Sequence, residues 1–135
     1  MVITNQDMLN KLVTLVQEEY GKMPITENTL PYMVNIIKIS AEGKFVFNYG
    51  APVLIVLASK PGYANNFADV SCAMQNMMLA CNELDLGSCW VNQIRHLQDN
   101  ERIQAKMREL GLSEDEKVYA SLAIGYPDLP NGLNR

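Results

Sequence analysis

The scarce reactive side chains of this sequence are three cysteines, one histidine and one tryptophan. Cys72, Cys81 and Cys89 form no CxxC pair. His96 gives no metal-ligand spacing with them, so neither a zinc site nor a disulfide framework is indicated. To act as a nucleophile, Cys89 would need a neighbour that lowers its pKa. The surrounding sequence supplies none, and a small buried residue is the simpler role. His96, in "IRHLQD", reads as a solvated residue of a helix or loop rather than a general base. There is no GxxxxGK[ST] and no GxGxxG phosphate loop. No catalytic residue and no metal ligand set is assigned.

The stretch "NELDLGSCWVNQI", residues 82–94, is different. An apolar, Met-rich segment stops at a glycine. A cysteine, the tryptophan and two amides follow. Glycine lets a backbone approach a ligand closely. Trp90 and Val91 could cover a planar aromatic system, and backbone N–H groups of an extended segment could bond ring heteroatoms. The same residues also suit a packed helix-to-strand corner in which Trp90 fills a gap in the core. The residues alone leave both readings open.

Several elements must position this stretch. "MVIT" reads as the tail of a strand. "NQDMLNKLVTLVQEEYGK" reads as a helix with Leu9, Leu12, Val13, Val16 and Tyr20 on one face, capped by Asn5 or Asp7 and closed by Gly21. A second helix is expected over 30–39, with Thr29 or Asn28 as its cap and Pro31 in its first turn. "FVFNYG" is a loop or short strand ending in a turn. "APVLIVLAS" has no polar alternation and suits a central strand covered on both faces. "KPGYANN" is a loop. In "FADVSCAMQNMMLACNELDLG", Val70, Ala73, Met74, Met77, Met78, Cys81 and Leu84 mark one apolar stripe, with Asp69 near the helix start and Gly87 just past its end. At that spacing the methionines read as core or subunit contact. "DNERIQAKMRELGL" is a surface helix capped by Asp99 or Asn100, with Ile103, Met107 and Leu110 facing inward and Gly111 closing it. "VYASLAIGY" is a second central strand. Helices alternating with buried strands indicate a layered α/β or α+β domain.

Composition bounds the possibilities. The 135 residues fit one domain, 1–135. Hydrophobic residues make up 48% and charged residues 19%, enough for a core. Net charge is −4 and only 11 Lys and Arg are present, scattered along the chain, so a nucleic-acid surface is not expected. No signal peptide opens the chain, and no apolar stretch reaches the roughly 18 residues of a membrane span. Free thiols suit a reducing cytoplasm.

"NYGAPVLIVLAS", "ADVSCAMQNMMLACNELDLGSCW" and "ASLAIGYP", in this order, resemble the nitroreductase family of flavoproteins. The middle block is the most specific, and the resemblance runs from "VITNQDML" to "GYP". It implies an α+β fold, a central mixed or antiparallel sheet flanked by helices, usually in an intertwined homodimer with FMN at the interface. It implies that NAD(P)H reduces the flavin, which then reduces a small-molecule acceptor such as a nitroaromatic or quinone in a ping-pong sequence. It also implies that a backbone N–H after LGSCW reaches flavin N5. That position maps to Val91 and Asn92, flanked by Trp90 and Gln93. A backbone donor is rigid and does not titrate, so it suits both redox states.

Family chains usually carry an N-terminal segment with an Arg-Ser-x-Arg motif that grips the FMN phosphate and an Asn-x-Gln-Pro stretch near the ring. Neither has a counterpart here. Past GYP they usually carry further Lys and Arg, for which Arg135 is the candidate. The expectation is a truncated nitroreductase-like chain that keeps the ring wall and, taken alone, binds FMN weakly or not at all. The alternative is a catalytically inactive binding or dimerisation module, with Met74, Met77 and Met78 at or near the subunit contact.

Overall fold

The computed structural model describes residues 1–128. Nine elements follow one another: β1 (Val2–Ile3), α1 (Gln6–Gly21), α2 (Pro31–Ala41), β2 (Val53–Ser59), α3 (Asn66–Glu83), β3 (Gly87–Val91), α4 (Gln93–His96), α5 (Glu101–Glu109) and β4 (Lys117–Gly125). The strands form one sheet in the order β1-β2-β4-β3, and every pairing among the described residues is antiparallel. The fold is α+β, a four-stranded antiparallel sheet flanked by helices.

The unbroken apolar run of β2 has a simple cause. Leu54 and Val56 enter the larger core with Leu9, Leu12, Val16 and Tyr20 of α1 and Ile103 and Met107 of α5. Ile55 and Leu57 pack on the opposite side, against Val70, Met74 and Cys81 of α3. Both faces of the strand are covered, so neither can be polar. β4 is covered in the same way, with Leu122 and Ala120 under α3 and Ala123 in the larger core.

Helix ends follow local chemistry. The Asn5 side chain accepts from the Met8 N–H at 3.0 Å and caps α1. Asn100, not Asp99, caps α5 by accepting from the Arg102 and Ile103 N–H groups. Two expected caps are replaced. Leu30 occupies the cap position of α2 without a side-chain bond, because the Thr29 hydroxyl already accepts from the Thr26 N–H at 2.9 Å. Gly21 is the last residue of α1 and does not close it in a left-handed turn. Its missing side chain lets Ala41 of α2 approach, since a Cβ there would lie 3.1 Å from the Ala41 backbone.

The expected stripe of α3 is narrower than its spacing suggested. Val70, Met74 and Cys81 are buried and Met77 and Met78 half-buried, while Ala73 and Leu84 are exposed. Met74 is sealed against the sheet of its own chain, so it is core and offers no surface to a partner. No helix among the described residues is long and apolar enough to cross a membrane.

Candidate functional site

α3 ends in a Schellman turn. The Leu86 N–H donates to Cys81 O at 2.8 Å and the Asp85 N–H to Asn82 O at 3.3 Å. The left-handed residue of that turn is Asp85, with φ 56°. Gly87, expected just past the helix end, is therefore free to begin β3, an edge strand paired with β4 through Gly87↔Gly125 to Val91↔Ser121.

A cavity of about 390 Å³ opens where β3 starts. Asn48, Tyr49 and Gly50 form one wall, and Cys89, Ala123 and Tyr126 line the other side. The 48–51 turn is built by Asn48, which is 3% exposed. Its Nδ2 donates to Ala51 O at 3.0 Å and its Oδ1 accepts from the Gly50 N–H at 3.4 Å. That turn holds Tyr49 in the left-handed region at φ 55°, with its ring 72% exposed at the cavity rim. The neighbouring Cys89 thiol and burial push the Tyr49 phenol above its usual pKa. Cys89 is half-buried, and its Sγ makes a weak 3.7 Å contact to Trp90 O. Among the described residues, no Lys, Arg or His lines this cavity.

"FVFNYG" ends in a turn, as its sequence indicated, but nothing in the sequence signalled that this turn walls a cavity. Asn48 and Gly50 were the turn signal, while the left-handed backbone falls on Tyr49 and Gly50. A larger groove of about 600 Å³ lies between α1 and α5. It is lined by Lys11, Glu18, Arg102, Lys106 and Glu109, several of them paired with one another, and by none of residues 87–93.

The four residues expected to wall a ring do not line this cavity: Trp90 and Val91 close β3 at its far end, and Asn92 and Gln93 follow it at the start of α4. Trp90 is half-buried in the core under α3, and its indole Nε1 donates to Asn92 Oδ1 at 2.9 Å. Val91 is 3% exposed and points into the larger core. Asn92 stands at the cap position of α4, and its carbonyl accepts from the His96 N–H at 2.9 Å. Among the described residues, the Asn92 and Gln93 N–H groups donate to no acceptor. A helix start leaves its first N–H groups without intrahelical partners. Trp90 therefore both fills a core gap and ties down Asn92. Arg135 lies outside the described residues. Beyond Gln93, the Arg95 guanidinium stacks over the Phe67 ring, 4.7 Å from its centre.

His96 is exposed at one side, yet its Nδ1 lies 3.3 Å from the Tyr20 hydroxyl. Burial, with the Arg95 charge as a smaller cause, lowers its pKa. Among the described residues no cluster of three or more His, Cys, Asp or Glu could hold a metal ion.

The sequence model of the nitroreductase family matches residues 1–126. This chain belongs to the nitroreductase family. A search of curated proteins found no significant match. Solved nitroreductases share its fold. One from Bacteroides fragilis, with bound FMN, is 25% identical with a TM-score of 0.83, over 99% of this chain and 67% of that one. One from Desulfitobacterium hafniense, also with bound FMN, is 18% identical with a TM-score of 0.77, over 100% and 69%. An FMN- and NADPH-dependent nitroreductase from Sphigopyxis sp. strain HMH is 18% identical with a TM-score of 0.62, over 95% and 68%. The nitroreductase chain described here thus spans about two thirds of the length of these neighbours.

Proposed function

We propose that the protein is an FMN-dependent NAD(P)H oxidoreductase that reduces nitroaromatics, quinones or similar small acceptors in a ping-pong sequence, working as a cytoplasmic homodimer. Family membership supports the general oxidoreductase kind. The observation that carries the finer reading is the pair of N–H groups at Asn92 and Gln93, without acceptors among the described residues at the end of a rigid strand.

The residues fit one half of the cofactor. Backbone donors at Asn92 and Gln93 suit a ring nitrogen, Val91 backs them from the core, and Trp90 holds Asn92 through its indole N–H. The cavity at Asn48, Tyr49 and Cys89, at the other end of β3 from these donors, falls within the roughly 300–1,000 Å³ of small-molecule sites. When bound, FMN would supply the hydride-accepting and hydride-donating chemistry. The chain's own residues would place the ring and exclude water from one of its faces. The described residues do not match the other half of the cofactor, since none of those lining that cavity is a cation. A charge-assisted hydrogen bond contributes roughly 1.5–3 kcal/mol. Losing three would exceed the roughly 4 kcal/mol between millimolar and micromolar binding. Weak FMN binding by this 135-residue chain alone follows.

The test is NAD(P)H oxidation with a nitroaromatic acceptor, with FMN in large excess over protein, against an FMN-only control. Turnover above the control supports the reading. Turnover equal to it, together with an unchanged flavin fluorescence on adding protein, overturns it.

A further inference from the structure

We propose that Tyr20 is a positioning residue for the 92–93 backbone, clamping α4 through the Gln93 carbonyl and fixing His96 as the Nδ1–H tautomer. The link to a flavin rests on the reading above; the clamp itself does not.

Tyr20 lies in the last turn of α1 with no exposed surface, its ring edge-on to Phe45 at 5.8 Å between centres. Its hydroxyl reaches two groups of α4, Gln93 O at 3.4 Å and His96 Nδ1 at 3.3 Å. A carbonyl oxygen only accepts whereas Nδ1 can take either role, so both contacts are hydrogen bonds only if the single phenol proton goes to Gln93 O, as the clamp requires. The phenol oxygen is then an acceptor, and Nδ1 must carry a hydrogen to bond it. In the neutral imidazole that leaves the lone pair on Nε2.

α4 has only four residues, too few to hold itself as a helix. Its direction must come from contacts outside it, and Tyr20 supplies two at opposite ends of its single turn. Fixing that turn also fixes where the Asn92 and Gln93 N–H groups point. The charged groups facing His96 are Arg95 on its own helix, and Glu19, Lys22 and Asp99, which line the cavity beside it. Protonation would add hydrogen at Nε2 and leave the Nδ1–H bond in place, so the clamp holds in both charge states.

Ring 15N NMR of His96 in the full chain near neutral pH tests the tautomer. The expected result is hydrogen on Nδ1, reverting toward Nε2–H in Tyr20→Phe. Amide exchange across residues 93–97 should quicken roughly five- to tenfold in Tyr20→Phe, as for loss of one hydrogen bond. His96→Asn places an amide N–H where Nδ1 stood and should keep the slow exchange, whereas His96→Gln places it where Nε2 stood and should not. This pair decides the matter even where Tyr20→Phe fails to fold. An Nε2–H tautomer in the parent chain, or equal exchange in His96→Asn and His96→Gln, overturns the clamp. FMN titration of the same variants is a separate arm. A parent chain that gives no turnover above the FMN-only control and leaves flavin fluorescence unchanged defeats the functional reading while the NMR result stands. Tight clamp signatures with FMN affinity unchanged in Tyr20→Phe defeat the positioning role.

Discussion

At the scale of single residues, Glu19 carries the strongest electrostatic commitment among the described residues. Its side chain is 8% exposed and accepts from Lys22 at 2.7 Å, Asn100 at 2.7 Å and Arg102. The hydrogen bond from Lys22 is the largest cause that lowers its pKa to about 2, from an ordinary 4.5. A depressed carboxylate pKa contributes stability above the unfolded value and loses it as pH falls through the folded one. The contribution is therefore full above about pH 5 and fades between pH 4.5 and 2. Lys22 and Arg102 are more than half exposed, so screening reduces it to roughly 2 kcal/mol. Glu19→Gln should lower urea-unfolding stability by about that much at pH 7, with the gap to the parent shrinking below pH 4.5. A constant gap across that range would contradict the assignment. Nothing in "QEEY" announces this residue, because its partners Asn100 and Arg102 are distant in sequence and come together only when α1 meets α5. Trp90 shows the opposite case. Its rarity and its place after a glycine made the segment legible, while its bond to Asn92 needed the structure.

At the scale of elements, periodicity was a good guide wherever burial has one direction. α1 presents the expected face, with Val13 only partly buried, and β2 and β4 are covered on both sides as their apolar runs required. Glycines were the less readable signals, because one residue type serves caps, close approaches and edge strands. Gly21→Ala separates these roles. In an exposed helix interior the change stabilises by about 0.5–1 kcal/mol. Here the new Cβ would sit 3.1 Å from backbone atoms of Ala41, which cannot swing aside. The variant should instead lose roughly 1–2 kcal/mol, read from its thermal or urea midpoint. Asn66 is the other element-level hinge that the sequence hid in a loop. Buried at the first turn of α3, it donates to Lys60 O at 2.6 Å and to the Tyr119 hydroxyl at 3.0 Å, and accepts from the Ser59 hydroxyl at 2.9 Å. It joins α3 to the ends of β2 and β4. Asn66→Ala would strand these partners, and a loss of about 2–4 kcal/mol is expected from the same measurement.

At the scale of the whole molecule, the distribution of charge decides what the cleft can hold. Many of the described cations are committed elsewhere: Lys22 and Arg102 to Glu19, Lys60 to Asp115, Lys106 to Glu109, and Arg95 to the Phe67 face. The cavity beside β3 is lined instead by backbone, small residues and two exposed tyrosine rings. In the reading proposed above, such a surface would suit a flat apolar body, and its described residues offer no cation to a phosphate. The contrast between flavins follows directly. Riboflavin has the same ring and ribityl chain as FMN and lacks only the phosphate. If the phosphate meets no cation, the two should bind this chain with dissociation constants within about threefold of each other, a difference under roughly 0.7 kcal/mol. Raising salt from low to physiological concentration should leave both nearly unchanged, because screening acts only on charges that are engaged. Fluorescence titration with each flavin measures both quantities. FMN binding a hundredfold tighter than riboflavin, and weakening with salt, would mean that cations outside the described cleft, Arg135 among them, reach the phosphate.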